Sequence, residues 1–196
     1  MRLVLASQSP SRRMLLEQGG VEPVLRPAHI DEEAVIASLH DAPPATTVAT
    51  LARAKAETAI ADFPDDVVVG CDSMLLLDGA LLGKPHTVEE TVRRWKAQRG
   101  KEAQLLTGHA VWFGDEWVED TVATTIRFGE VSDADIEAYA RSGQPLECAG
   151  AFTLEALGSW FIDSIAGDPT SVIGLSMPLL RRCLYRFGLD ASDFWA

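Results

Sequence analysis

Apolar positions along the chain follow two rhythms. Arg2 to Ala6, with Leu3, Val4 and Leu5 at its centre, reads as a first strand. Three consecutive valines (67–69), Gly70 and Cys71 lead past Asp72 into a second apolar run, Met74 to Leu77. The Asp78-Gly79 pair and the apolar stretch 80–82 turn this into a buried strand and hairpin. Two longer runs, 101–113 and 117–128, flank Gly114-Asp115 and predict an antiparallel pair. Short strands are expected between 148 and 165.

The other rhythm is helical. Ser9 is a natural N-cap and Pro10 a natural first helical residue; Met14, Leu15 and Leu16 supply an apolar face that Gly19-Gly20 ends. Residues 47–61 carry a stripe of Val48, Leu51, Ala52, Ala56 and Ala59. Thr87-Val-Glu-Glu90 reads as a capping box for a helix to about Gln98, Ser132 caps another, and a last helix is expected around 178–187. Strands alternate with helices and hairpins, so the class is α/β, a mixed twisted sheet with flanking helices. Without a repeat or a clear linker, residues 1–196 read as a single domain.

Composition narrows the field. At 47% hydrophobic and 23% charged residues the chain can bury a sizeable core. No apolar run approaches the ~20 residues that span a bilayer, and the N-terminal run is too short for a signal peptide. Cys71, Cys148 and Cys183 are odd in number and widely spaced, giving neither a zinc pattern nor a disulfide framework. A cytoplasmic location is expected. Net charge is −12, which should repel nucleic acid and anionic lipid. A polyanionic ligand would have to be met by a few local cations.

Several charges stand against the local pattern. Arg12 and Arg13 fall in a first helical turn, where cations oppose the helix dipole; a bound phosphate would reverse that sign, and with the strand and Ser-rich turn before them this reading is favoured over a solvated pair. Lys55 points into the middle of its helix's apolar stripe, so it either snorkels or serves a site. Asp72 interrupts an apolar strand and Lys84 precedes a proline; these are either a structural pair or working groups. The acidic segment His29 to Glu33 reads as a solvated loop. His109 reads as a core or edge histidine, and His86 is uninformative. GALLGKP, 79–85, lacks the spacing and the Ser/Thr of a P-loop. Cations to clamp phosphates, with carboxylates to hold Mg²⁺ and activate water, make a set suited to hydrolysing a phosphoanhydride.

LASQSPSRRMLL, LARAKAE, VVVGCDS, LLGKP, PLECAGAF and SVIGL, in this order, resemble the Maf family of nucleotide pyrophosphatases over nearly the whole chain. The resemblance implies two lobes around a cleft, a fold related to inosine-triphosphate pyrophosphatases. It implies hydrolysis of a nucleoside triphosphate, standard or modified, to the monophosphate and pyrophosphate with a divalent metal, Mg²⁺ or Mn²⁺. Matched residue by residue, Asp72 would be the general base, and Ser7, Arg12, Arg13, Lys55 and Lys84 would hold the triphosphate. Glu32 would be a second acid beside the metal, with Asp72 as its other ligand. Ser73 and Glu155 stand where the family sorts its bases. The nucleotide is the expected partner, without nucleic acid or membrane, and a homodimer is allowed.

The chain departs from the family pattern at Arg99-Gly-x-x-Ala103, Gln144-Pro145, Cys148-Ala-Gly and Gly174-Leu-Ser176. None touches the phosphate set. The changes at Gln144 and Cys148 put substrate identity in doubt. A nucleotide-binding regulator of cell division with little turnover, and a housecleaning enzyme for deaminated purines, are the competing readings.

Overall fold

A computed structural model describes residues 1–196. In chain order the elements are β1 (Leu3–Leu5), α1 (Pro10–Gln18), β2 (Val24–Leu25), α2 (Glu32–Ser38), α3 (Pro44–Ile60), β3 (Val67–Leu77), β4 (Ala80–Leu82) and α4 (Val88–Gln98). Then come β5 (Glu102–Phe113), β6 (Glu116–Phe128), α5 (Asp133–Arg141), β7 (Ile162–Ala166), α6 (Pro169–Ile173) and α7 (Met177–Arg186). The sheet is mixed and open, in the order β2-β1-β3-β5-β6-β7, with β4 paired to β3. β1 lies parallel to both β2 and β3, while β4 and β7 are antiparallel to their partners.

The chain divides into two compact units: Met1–Asp72 with Thr107–Val122 and Gly174–Ala196, and Ser73–Leu106 with Ala123–Ile173. Asp72 is thus the last residue that β3 gives to the first unit. In that unit, α3 lays Ala52, Ala56 and Ala59 against Val4, Val68 and Ala110. Small side chains let the helix come close, and two glycines let it come closer. A Cβ on Gly70 would fall inside the backbone of Ala52 and Ala56, and one on Gly108 inside that of Val48. In the second unit Trp95 is the hub. Its ring meets Phe128, Tyr139 and Phe161 edge-on at 5.4–5.8 Å, and its Nε1–H donates to the Ala151 carbonyl at 2.7 Å.

Two expectations are corrected. The acidic segment is not a loop: Asp31 caps α2, accepting from the Ala34 N–H, and Glu32 and Glu33 occupy its first turn, where the dipole favours carboxylates. Short strands do not fill 148–165. After a 3-10 turn at Gln144–Glu147, that stretch holds two more at Ala149–Ala151 and Leu157–Phe161, and β7 alone is a strand. Gly150 at φ 69° and Ala151 at φ 59° are left-handed, which no strand accommodates.

Candidate active site

The site is built where the parallel pairing of β1 with β3 ends, at the carboxyl end of β1 and midway along β3. β1 and β3 run in register from Leu3 opposite Val67 to Leu5 opposite Val69. Beyond that paired stretch, β1 turns into α1 through Ser7 and Ser9, and β3 continues to Asp72.

In the turn, Ser7 is buried and its Oγ accepts from the Ser9 N–H and from Arg12 Nη1, both at 3.1 Å. Ser9 caps α1 by accepting from the Arg12 N–H. Arg12 is only 8% exposed and sends its Nε–H to the Gly174 carbonyl at 2.7 Å. A first-turn cation that opposes the helix dipole is thereby folded inward and fixed at two points. Its neighbour Arg13 turns to solvent and pairs with Glu17 at 2.6 Å, outside this group.

Gly70 and Asp72 lie two apart on β3 and so share a face. Because Gly70 admits the α3 backbone, Asp72 meets Lys55 from the same helix. Lys55 Nζ stands 2.6 Å from Asp72 Oδ1 and 2.8 Å from Glu32 Oε1. The lysine aimed at the apolar stripe therefore neither idles nor snorkels; it joins carboxylates from β3 and α2. Asp72 is 7% exposed. Burial holds its carboxyl above the ordinary aspartate range, against the pull of Lys55 and Arg12, and Glu32 adds to the rise. Cys71 beside it is buried and pushed up to about 12, which makes its thiol inert.

No group of three or more His, Cys, Asp or Glu side chains is arranged so that those side chains alone could hold a metal ion. Glu32 and Asp72 nonetheless present two hard oxygen donors to one cation position, that of the Lys55 ammonium. Mg²⁺ asks for one or two carboxylates and completes its shell with water and substrate phosphate oxygens. The donor set fits such an ion.

The remaining expected residues lie in the second unit. Lys84 follows β4 and meets Glu147 Oε2 at 3.3 Å, while His86 Nδ1 lies 3.1 Å from the other oxygen of Glu147. The segment is tied to the 3-10 turns, with His86 N–H donating to Leu146 O and Gly150 N–H to Gly83 O. Ser73 is half-buried in β3. Glu155 is exposed on a bend rather than a strand, and its charge adds to the burial that pushes Cys148 up to about 11. A hollow of about 500 Å³ beside Trp160 is rimmed by Glu130, Asp135 and Asp163 and holds none of the candidate residues. Its carboxylates make it unsuited to a polyphosphate.

Two positioning groups had no sequence signal of their own. The Gly174 carbonyl that anchors Arg12 is main chain, and Glu147 is one acid among the chain's 29.

A family profile described as Maf-like protein matches residues 2–187. Among curated relatives, a "Nucleoside triphosphate pyrophosphatase" of Corynebacterium aurimucosum is 65% identical over all of this chain and 99% of its own length. One of the same name from Corynebacterium efficiens is 64% identical over 100% of this chain and 99% of its own. A third, from Nocardia farcinica, is 51% identical over 98% and 96%. The chain belongs to the family of Maf-like proteins.

Proposed function

We propose that the chain hydrolyses a nucleoside triphosphate to the nucleoside monophosphate and pyrophosphate, as the names of its relatives state for them. The observation that carries this reading is the meeting of Lys55 with Asp72 and Glu32 in the first unit, with the Arg12 charge felt at the same carboxyl. Asp72 takes a proton from water, whose oxygen attacks the α-phosphorus. The bond from that phosphorus to the bridging oxygen breaks, and its electron pair leaves with pyrophosphate. A base whose pKa is raised toward neutrality suits proton abstraction better than an ordinary aspartate does. Glu32 and Asp72 would hold a divalent cation, Mg²⁺ or Mn²⁺, which supplies charge to neutralise the phosphates. Ser7 and Arg12 orient phosphate oxygens, and Lys84 is assigned to phosphate binding as well.

Ser73 and Glu155 are assigned to the base. A carboxylate only accepts hydrogen bonds, so Glu155 suits the paired N–H donors of a guanine edge and offers nothing to the carbonyls of uracil. Ser73 is small and excludes little. A broad specificity leaning to guanine-like bases follows.

The reading is tested by incubating the protein with Mg²⁺ or Mn²⁺ and a panel of normal and modified nucleoside triphosphates and assaying pyrophosphate. Nucleotide binding without pyrophosphate release across the panel would replace the enzyme with a binding protein.

A further inference from the structure

Asp72 is a carboxylate in an almost fully buried place, and a buried charge needs a counter-charge. The ammonium of Lys55 supplies it, at 2.6 Å, and the same nitrogen reaches Glu32 at 2.8 Å. The Lys55 side chain is 11% exposed and that of Glu32 is 52% exposed, so the assembly is closed toward the sheet and open at the Glu32 edge. Two carboxylates around one monovalent cation leave a net negative charge, which a divalent cation would cancel. A lysine ammonium and a divalent cation at one carboxylate pair would repel each other strongly. They cannot both stay.

We infer that Lys55 is a place-holder: its ammonium and the divalent cation are alternative occupants of the Glu32–Asp72 pair, and arrival of the metal frees Lys55 for the triphosphate. The inference rests on the proposed metal role of the two acids. A flexible four-carbon stem lets the ammonium leave while α3 stays packed on Gly70. Glu32, at the start of α2, keeps its favourable place at the helix dipole whichever cation is present. Before metal binds, the ammonium is the counter-charge beside the buried carboxyl. Afterwards it adds a positive charge where the phosphates are to be held. Metal and nucleotide thus bind cooperatively through one side chain, and by linkage each raises the affinity for the other by the same factor.

The test is Mn²⁺ titration of nucleotide-free protein by calorimetry, comparing wild type with Lys55→Met and Glu32→Gln. Lys55→Met should bind Mn²⁺ roughly tenfold more tightly than wild type, within the usual range of such couplings. Glu32→Gln should bind it more weakly. Unchanged or weaker binding by Lys55→Met, with Glu32→Gln still weakened, would overturn the place-holder while leaving the metal ligands in place. If neither Glu32→Gln nor Asp72→Asn altered Mn²⁺ binding, the metal reading itself would fail and take the inference with it. A second measurement needs no variant. Acetic anhydride labelling of the wild-type protein, read by mass spectrometry, should show Lys55 becoming several-fold more reactive on adding Mn²⁺ alone, with Lys96 and Lys101 as internal references. Constant or reduced labelling of Lys55 would overturn the idea.

Discussion

Arg12 donates its Nε–H to the Gly174 carbonyl, tying the first helix to the three residues that lead into the last one. Gly174 has φ 129°, and a Cβ there would lie 3.1 Å from Arg12 Nε and 3.2 Å from its Cγ. Gly174→Ala should therefore cost about 1–3 kcal/mol of stability through backbone strain and displace the guanidinium. The expected kinetic signature is a raised KM and weaker pyrophosphate inhibition, with kcat less affected. Arg12→Ala and Lys84→Ala should each weaken pyrophosphate binding by about 1.5–3 kcal/mol, the scale of a hydrogen bond to a charged group. Calorimetry with pyrophosphate measures this directly, and wild-type affinity in both variants would remove them from the phosphate site.

Asp72→Asn keeps the size of the side chain and removes the base. It should lower kcat by ~10²–10⁴ with modest loss of substrate affinity. Turnover close to wild type under saturating nucleotide would end the assignment.

The acid side of the stability curve has an identifiable contributor. Arg93 and Arg94 hold the Glu90 carboxyl at about 2, below its ordinary 4.5. A depressed folded-state pKa gives stability that is fully present above the unfolded value and is lost as pH falls toward the folded one. The stability difference between wild type and Glu90→Gln should be constant above about pH 5 and shrink between there and pH 2. Denaturant melts at several pH values test it, and a difference that grows on acidification would contradict the ion-pair account.

Ser176 precedes α7, in the Gly174-Leu-Ser176 stretch that departs from the family pattern. Its Oγ caps α7 by accepting from the Leu179 N–H at 3.1 Å, and its own N–H donates to Nε2 of the buried His109 at 2.8 Å. Proline can make neither bond, although Ser176 already has a proline-like φ of −73°. Ser176→Ala should cost about 1 kcal/mol for the cap. Ser176→Pro should cost a further ~1–3 kcal/mol for the donor withdrawn from His109. Equal melting of the two variants would show that the histidine bond contributes nothing.

Sequence signals were strongest where a local device sets the structure. Ser9-Pro10, Thr87, Asp78-Gly79 and Ser132 act through their own backbone neighbours, and each lies at the helix start or turn it predicted. The helix at Glu32 was hidden because it buries no residue and so has no apolar stripe to read. The turns after Cys148 were hidden because Ala151 is left-handed without being glycine or asparagine. At the site, Lys55 and Asp72 stood out as charges in apolar settings, and the structure pairs them. Arg13 resembled Arg12 in sequence and differs only in the direction its helix position gives it.

The trough formed by Gly70 and Gly108 under α3 also bears on when the site comes into being during folding. Val48 meets Gly108 across 60 positions of chain, whereas Lys55 and Asp72 are only 17 apart. The ion pair is local in sequence, but its shelter is not. Until β5 has joined β3, the helix has half of its bed, and both charges stay hydrated. Contacts of long separation form late. We expect Gly108→Ala to slow refolding less than Gly70→Ala, relative to the stability each removes. The desolvated Lys55–Asp72 pair would then belong to the last step of folding in its unit, reached only by chains whose sheet is already in register.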